Sequence, residues 1–333
     1  MHALPSQPNS VGDAGRATVP RTGWAMSLAL IGAVGAVAIV VLVVVGEILI
    51  DRERTVDRAI TEIGNLADAL AADTDQTLSI MDRALATFVA AVDPATMAQP
   101  EERRRTAALL RDRADLMASV RVLFLIDEDG RLIASSGPSG HQAGADLSGR
   151  PAFKVHRGDP GLGTHIEPAE LARLGDADRW HLSFSRRLNH ADGRFAGIVV
   201  AIVLLDEFMK FQVALNIGAR GAVGLFSDDG ILIARRPFVP EFVGKSYMKA
   251  PLFAVHFPKT PHGSYRSEFV TDQVVRLSAY RTIPDKGVVV YIGFAEDDVL
   301  APWRERTAII AIIGGALIGV IIAFALAIRR RCI

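Results

Sequence analysis

The sequence predicts an α+β protein: a long N-terminal helix followed by two tandem antiparallel-sheet units of five strands each, flanked by two transmembrane helices. Three observations carry this. Two uncharged apolar runs lie near the ends of the 333-residue chain. An apolar stripe of helical period follows the first run. A strand–turn–strand motif is written twice, offset by one hundred residues.

Residues 25–46 read AMSLALIGAVGAVAIVVLVVVG, and residues 309–328 are likewise free of charge. A hydrocarbon core of about 30 Å takes about 20 helical residues, so either run is long enough to span it. The first run exceeds the apolar region of a signal peptide, and no small-x-small cleavage site precedes DRERTVDR, so an uncleaved anchor is expected. Arg16 and Arg21 precede the first run, and Arg329, Arg330 and Arg331 follow the second. By the positive-inside rule both termini are cytoplasmic, and the segment between the spans is periplasmic, at a bacterial inner membrane. Trp24 and Trp303 take interfacial positions. The single cysteine, Cys332, falls on the cytoplasmic side, so the external part is held by its own core rather than by disulfides. Basic and acidic residues number 37 each, which gives no basis for a nucleic-acid partner.

The expected boundaries are a cytoplasmic tail over 1–24 and a first span over 25–48, then a stalk helix and connection over 49–115. A membrane-distal unit follows over 116–217 and a membrane-proximal unit over 218–300. A juxtamembrane segment with the second span covers 301–328, and a tail covers 329–333. In the stalk, Val56, Ile60, Ile63, Ala67 and Leu70 recur at helical spacing, and Leu78, Met81, Leu85, Phe88 and Val92 resume it after a polar break. Asp93-Pro94 ends the helix, because the residue before proline is pushed out of the helical region. The second half of the stripe packs on its own domain. The first half does the same, and a second reading adds that it pairs with a second copy in a homodimer.

LFLIDEDGRLIAS (123–135) and VGLFSDDGILIAR (223–235) align without a gap. Each reads as a hairpin whose glycine supplies the positive φ of a tight turn. HLSFSRRL (181–188) matches RLSAYRTI (276–283), and FAGIVVAIVLLDEF matches DKGVVVYIGFAEDD. These are neighbouring strands. Between hairpin and final strands, each copy carries a less regular stretch rich in Gly, Pro and His.

The order of a long helix, two PAS-like sheets and a return helix between two spans resembles the double Cache sensor module of bacterial membrane receptors. IDEDGRLIASSG, DLSGRPAFKVH, WHLSFSRRL, LFSDDGILIARRP and VYIGFAEDDVLAPWRER carry the resemblance. It is closest to the sensor halves of diguanylate cyclases and sensor histidine kinases. The resemblance implies a small-molecule ligand in the distal unit and signalling to a cytoplasmic output. No output domain or HAMP-like linker follows Arg331. The chain is therefore read as the sensor half of a longer protein, or as a receptor working through a membrane or cytoplasmic partner. For a lateral partner, Gly315 and Gly319 form a GxxxG-type step.

No catalytic constellation or metal-ligand spacing is found, and no cofactor is expected. DEDGR begins like a calcium loop, but Arg131 stands where an oxygen ligand belongs. The candidate ligand residues are Arg150, Phe153, His156, Trp180, Ser183, Ser185, Arg186 and Arg187. Arginine offers a planar fork suited to carboxylate, which suggests a carboxylate or other anion as ligand. Strand alternation puts Leu182, Phe184, Arg186 and Leu188 on one face and Ser183, Ser185 and Arg187 on the other, so only one arginine can face a given pocket. Arg186 has a counterpart in Arg281, which suits a structural ion pair equally well. The resemblance places Arg150 on a lid beside the pocket. The Tyr, Arg, Trp, Tyr and Asp set of the amino-acid-binding versions is not found, so a free amino acid is not supported. The competing reading is a periplasmic scaffold that binds nothing small.

Overall fold

The computed structural model describes residues 22–331, apart from 98, 116, 118, 138–141, 175–176, 211–214 and 270–271. Arg16, Arg21 and Cys332 lie outside the described residues. The chain forms two compact units, Arg54–Ala301 and the pair of segments Met1–Glu53 with Pro302–Ile333.

Helix α1 (Thr22–Ala91) runs until Asp93-Pro94, where Asp93 is extended and its carboxylate caps the following turn. Its polar-interrupted stripe is buried in both halves: Ala59, Ile63, Ala67 and Leu70, then Leu78, Met81, Leu85 and Phe88. These side chains share one core with Leu182, Phe184 and Val199 of the distal unit and with Leu277, Ala279, Val290 and Ile292 of the proximal one. Ile60, expected in this stripe, instead stands 38% exposed, and Ala59 takes the buried place one residue earlier.

After α2 (Pro100–Asp115) come β1 (Val120–Asp127), β2 (Leu132–Ser135), α3 (Pro151–Gly158), β3 (His165–Leu174), β4 (Ala177–Asn189), β5 (Phe195–Leu204) and the short α4 (Leu205–Phe208). The strands form an antiparallel sheet in the order β2-β1-β5-β4-β3. The second sheet repeats this order as β7-β6-β10-β9-β8. Its strands are β6 (Ala222–Ser227), β7 (Leu232–Arg236), β8 (His262–Glu268), β9 (Val275–Ile283) and β10 (Val288–Ala295). A short helical turn, Leu252–His256, stands where the first copy has α3, and α5 (Glu296–Arg331) follows β10. In each copy one strand was missing from the sequence reading, in the stretch taken as irregular: β8, HGSYRSE, in the second and β3, HIEPAELARL, in the first. Its pairing with β4 shifts between Glu167 and Glu170, around Pro168, as expected for a residue that cannot donate to the ladder.

Strand β5 is central and buried on both faces. Val199, Ala201 and Val203 turn toward α1. Ile198, Val200 and Ile202 turn away from it and pack with Val122, Phe124, Ile126 and Phe153 of α3. Each sheet therefore has a helix side and a lid side. The turn that opens each copy is fixed by glycine: Gly130 has φ +84° and Gly230 φ +77°. The carbonyl of Gly130 accepts from Leu147 N at 2.7 Å, and that of Gly230 from Tyr247 N at 2.8 Å.

Within the other unit, the start of α1 and the end of α5 touch. Trp303 Nε1 donates to the Ile48 carbonyl at 3.2 Å, and Arg306 Nε stands 3.2 Å from Asp51 Oδ2. A Cβ on Gly314 would lie 2.9 Å from Val44 Cγ2, while Gly315 and Gly319 face open space. The close approach is made at Gly314 and not at the Gly315/Gly319 step. Leu42, Ile312 and Phe324 are exposed at 75%, 72% and 69%. Large apolar side chains so exposed on two long helices are consistent with two membrane spans.

A Cβ at Gly130 would lie 2.5 Å from Ser148 Cβ, whereas Gly193, also at φ +84°, has nothing within 4 Å. Gly193→Ala should cost about 1–2 kcal/mol, the price of left-handed backbone alone. Gly130→Ala should cost clearly more, roughly 3 kcal/mol or above, because the Ser148 backbone must also shift. Denaturant titration of the two variants checks the order.

Candidate polar chamber beneath α3

The lid side of the distal sheet is divided lengthwise. β1 and β5 supply Phe124, Ile126, Ile198, Val200 and Ile202, all buried and apolar. β4 supplies His181, Ser183, Ser185 and Arg187, every second residue, and all four are buried. Cross-strand pairing sets His165 opposite Ser185, Glu167 opposite Ser183 and Glu170 opposite His181. The polar half of the chamber is therefore built from β3 and β4 together.

Helix α3 closes over it. Pro151 starts the helix, and Ala152, Phe153 and His156 form its buried side. Each end is fastened. At the start, the Ala152 amide donates to Glu167 Oε1 at 3.0 Å, and the Arg150 guanidinium pairs with Glu170 while standing 3.9 Å from Glu167 Oε2. At the end, Arg187 donates to the His156 carbonyl, and its Nε donates to Asn189 Oδ1 at 2.6 Å. Its guanidinium also lies 4.8 Å from the centre of the Phe195 ring, a favourable place for a cation. In the middle, His156 Nε2 lies 3.0 Å from Ser185 Oγ, and the ring meets His165 edge-on at 6.2 Å.

Among the described residues, two buried atoms here have no hydrogen-bond partner: His156 Nδ1 and Ser183 Oγ. Their residues are 0% and 1% exposed. An orphaned buried polar group costs about 1–3 kcal/mol. Burial lowers the His156 imidazole from 6.5 to about 4 and lowers His165 as well. Burial raises Glu167. It also works against the Glu170 carboxylate, but hydrogen bonds from His181 and Arg150 prevail and hold it at about 2.

Of the expected residues, the structure brings together Arg150, Phe153, His156, Ser183, Ser185 and Arg187. It leaves Arg186 and Trp180 on the other face. Arg186 pairs with Asp82 of α1, and Trp180 packs edge-on against Phe238 of the proximal unit at 4.8 Å. Sequence reasoning missed His165, Glu167, Glu170 and His181. The alternation that grouped Ser183, Ser185 and Arg187 reaches His181 if carried two residues back. The other three stand on the unrecognised β3.

The proximal unit offers an internal control. Sheet register makes Tyr280 the counterpart of Ser185, Tyr291 of Val200, Tyr265 of Glu167 and Gly263 of His165. By sequence, Phe226 stands for Ile126. Its chamber is packed with rings: Phe226 meets Tyr247, Phe253 and Tyr291 at 5.7, 5.5 and 6.5 Å. Tyr280 OH donates to the Thr260 carbonyl, and Ser278 pairs with Tyr291. At the positions of Phe226, Tyr265, Tyr280 and Tyr291 the distal unit has aliphatic, polar or small side chains, while Phe253 keeps a ring, Phe153, as its counterpart.

A long helix carrying two sheets of identical strand order, with polar side chains beneath the distal α3 and aromatic rings beneath the proximal turn, is a tandem PAS-like architecture. Residues 205–293 match the family model dCache_1_like, described as a histidine kinase sensor domain. The chain is similar to the extracellular domain of rpHK1S-Z16 at 28% identity; the match covers 74% of this chain and 98% of that one, with a TM-score of 0.62. It also superposes on the ligand-binding domain of the Pseudomonas fluorescens chemoreceptor CtaA in complex with L-isoleucine (16% identity, 75% and 98% covered, TM-score 0.55). A third match is the periplasmic sensory domain of the Campylobacter jejuni chemoreceptor Tlp1 (10% identity, 74% and 99% covered, TM-score 0.58). The last two likenesses concern the fold alone. No curated protein matches the sequence.

Because the folded state holds His156 neutral down to about 4, the unfolded chain binds the extra proton between roughly pH 6.5 and 4. Stability should therefore fall as pH drops through that window, by up to about 3 kcal/mol from this residue. His156→Gln should flatten that part of the profile, read by urea unfolding at pH 7 and pH 4.5.

Proposed function

We propose that the chain is a bacterial inner-membrane receptor, with both termini cytoplasmic, whose distal unit takes up a small polar molecule beneath α3. The observation that supports this reading best is the pair of unpartnered buried atoms, His156 Nδ1 and Ser183 Oγ, in a chamber whose proximal counterpart is filled with tyrosines. A ligand that both donates and accepts hydrogen bonds suits this lining. The arginines do not favour a carboxylate above other polar groups: Arg150 is engaged by Glu170, Arg186 by Asp82, and Arg187 by Asn189 and the His156 carbonyl. That CtaA binds L-isoleucine and Pseudomonas aeruginosa PctB binds L-Gln keeps amino acids among the molecules to test.

The scaffold reading has one observation in its favour. Phe153 and His156 fill the space under α3 and are 2% and 0% exposed. Ligand addition separates the two. The full chain in detergent is melted against a panel of amino acids, small carboxylates, amines and polyols. A ligand at about 100 times its dissociation constant adds roughly 2.7 kcal/mol of stability. The receptor reading predicts a hit that disappears in the double variant Ser185→Tyr/His165→Gly, which copies the proximal filling. A well-folded protein with no shift across the panel would support the scaffold.

A further inference from the structure

The two strands that carry the polar half of the chamber present their other side to α1 at the same register. Ser185 and His165 are paired across β4 and β3, and both touch His156 of the lid. Their chain neighbours, Arg186 and Thr164, both bind one carboxylate on α1. Arg186 pairs with Asp82, and Thr164 Oγ1 donates to Asp82 Oδ1 at 2.6 Å. Thr164 closes the loop that leads out of α3. The second oxygen of Asp82 lies 3.9 Å from Lys286 Nζ, in the turn Pro284–Lys286 that joins β9 to β10. These groups line one cleft of about 520 Å³ between the distal and proximal sheets. One carboxylate thus receives a group from the distal sheet, one from the lid loop and one from the proximal unit.

We propose that Asp82 is the coupling residue of the module, through which the position of α3 is passed to helix α1 and to the β9–β10 turn. Moving α3 displaces His156 from Ser185 and His165, and the adjoining Arg186 and Thr164 shift on Asp82 in response. Lys286 then gains or loses its share of the carboxylate. A different arrangement occurs at Asp68. Arg281 Nη2 donates to Asp68 Oδ2 at 3.0 Å and to the Gly64 carbonyl at 3.1 Å. His262, the counterpart of Thr164, acts on this carboxylate through its charge, and among the described residues no group of the distal lid loop is hydrogen-bonded to it. This assignment rests on α3 being a movable lid and on nothing about what binds beneath it.

The test therefore needs no ligand. Hydrogen exchange is followed by mass spectrometry on the full chain in detergent, with α3 loosened by His156→Ala. In the parent protein the substitution should raise exchange in α3, and several-fold also at residues 78–86 and 284–288. In an Asp82→Asn background α3 should still loosen, but the change at 284–288 should vanish. Asp68→Asn should leave transmission intact, which separates coupling from general destabilisation. If α3 is not loosened by His156→Ala, Phe153→Ala replaces it. Loosening of α3 with no response at 284–288, or an equal response with Asp82→Asn, would overturn the assignment. A failed ligand screen would not touch it.

Discussion

Helix α1 has one apolar side, and two sheets must share it. Ala59, Ile63, Ala67 and Leu70 serve the proximal sheet, and Leu78, Met81, Leu85 and Phe88 the distal one. Since a helix repeats every 3.6 residues, a stripe can face both sheets only if its spacing holds across the polar break. Asp68 and Asp82 keep that spacing: they lie two heptads apart, about 21 Å along the axis. Each meets one arginine, Arg281 or Arg186, at matching places on β9 and β4. Apolar burial supplies the attraction between helix and sheets, and it has no direction. The ion pairs fix where along the helix each sheet sits.

That constraint also decides which side of the distal sheet is available for chemistry. With Leu182, Phe184 and Leu188 committed to α1, Arg186 is carried to the same side by strand alternation. The odd-numbered residues of β4 are left for the lid. The polar character of the chamber is a consequence: once the helix side has absorbed the apolar residues of β4, the lid side receives histidine, serine and arginine. On β5 both sides are apolar, which suits a central strand and accounts for the lengthwise division of the chamber.

Much of this was legible in the sequence. The hairpins IDEDGR and FSDDGI could be aligned because Gly130 and Gly230 answer the same backbone demand, and a substitution at either would meet a neighbour's atoms. The alternation along HLSFSRRL gave both faces of β4, though not which face met the lid. That choice is a tertiary fact, set by where α1 packs. Strand β3 was illegible for a local reason: Pro168 and the shift in pairing beside it break the two-residue period. Glu167 and Glu170 are therefore three apart and still serve one chamber, a relation that no simple period encodes. The helix break at Asp93-Pro94 depends only on neighbouring residues, and it was readable.

The contrast between the two copies bears on how such a module could respond to anything. In the proximal chamber, Tyr280 and Tyr291 bury large rings and also satisfy their hydroxyls against Thr260 and Ser278. Edge-on aromatic pairs add about 0.5–1.5 kcal/mol each beyond the area buried. A chamber so filled has little to gain from a guest. The distal chamber retains the same sheet and the same lid position but leaves His156 Nδ1 and Ser183 Oγ unmatched. At about 1–3 kcal/mol for each such atom, its closed state is stressed by an amount that a well-matched molecule could relieve. A ligand shifts a conformational equilibrium only by the difference in its affinity for the two states. Unmatched polar atoms under the distal α3 are where such a difference could arise, and among the described residues the aromatic packing of the proximal copy offers no equivalent.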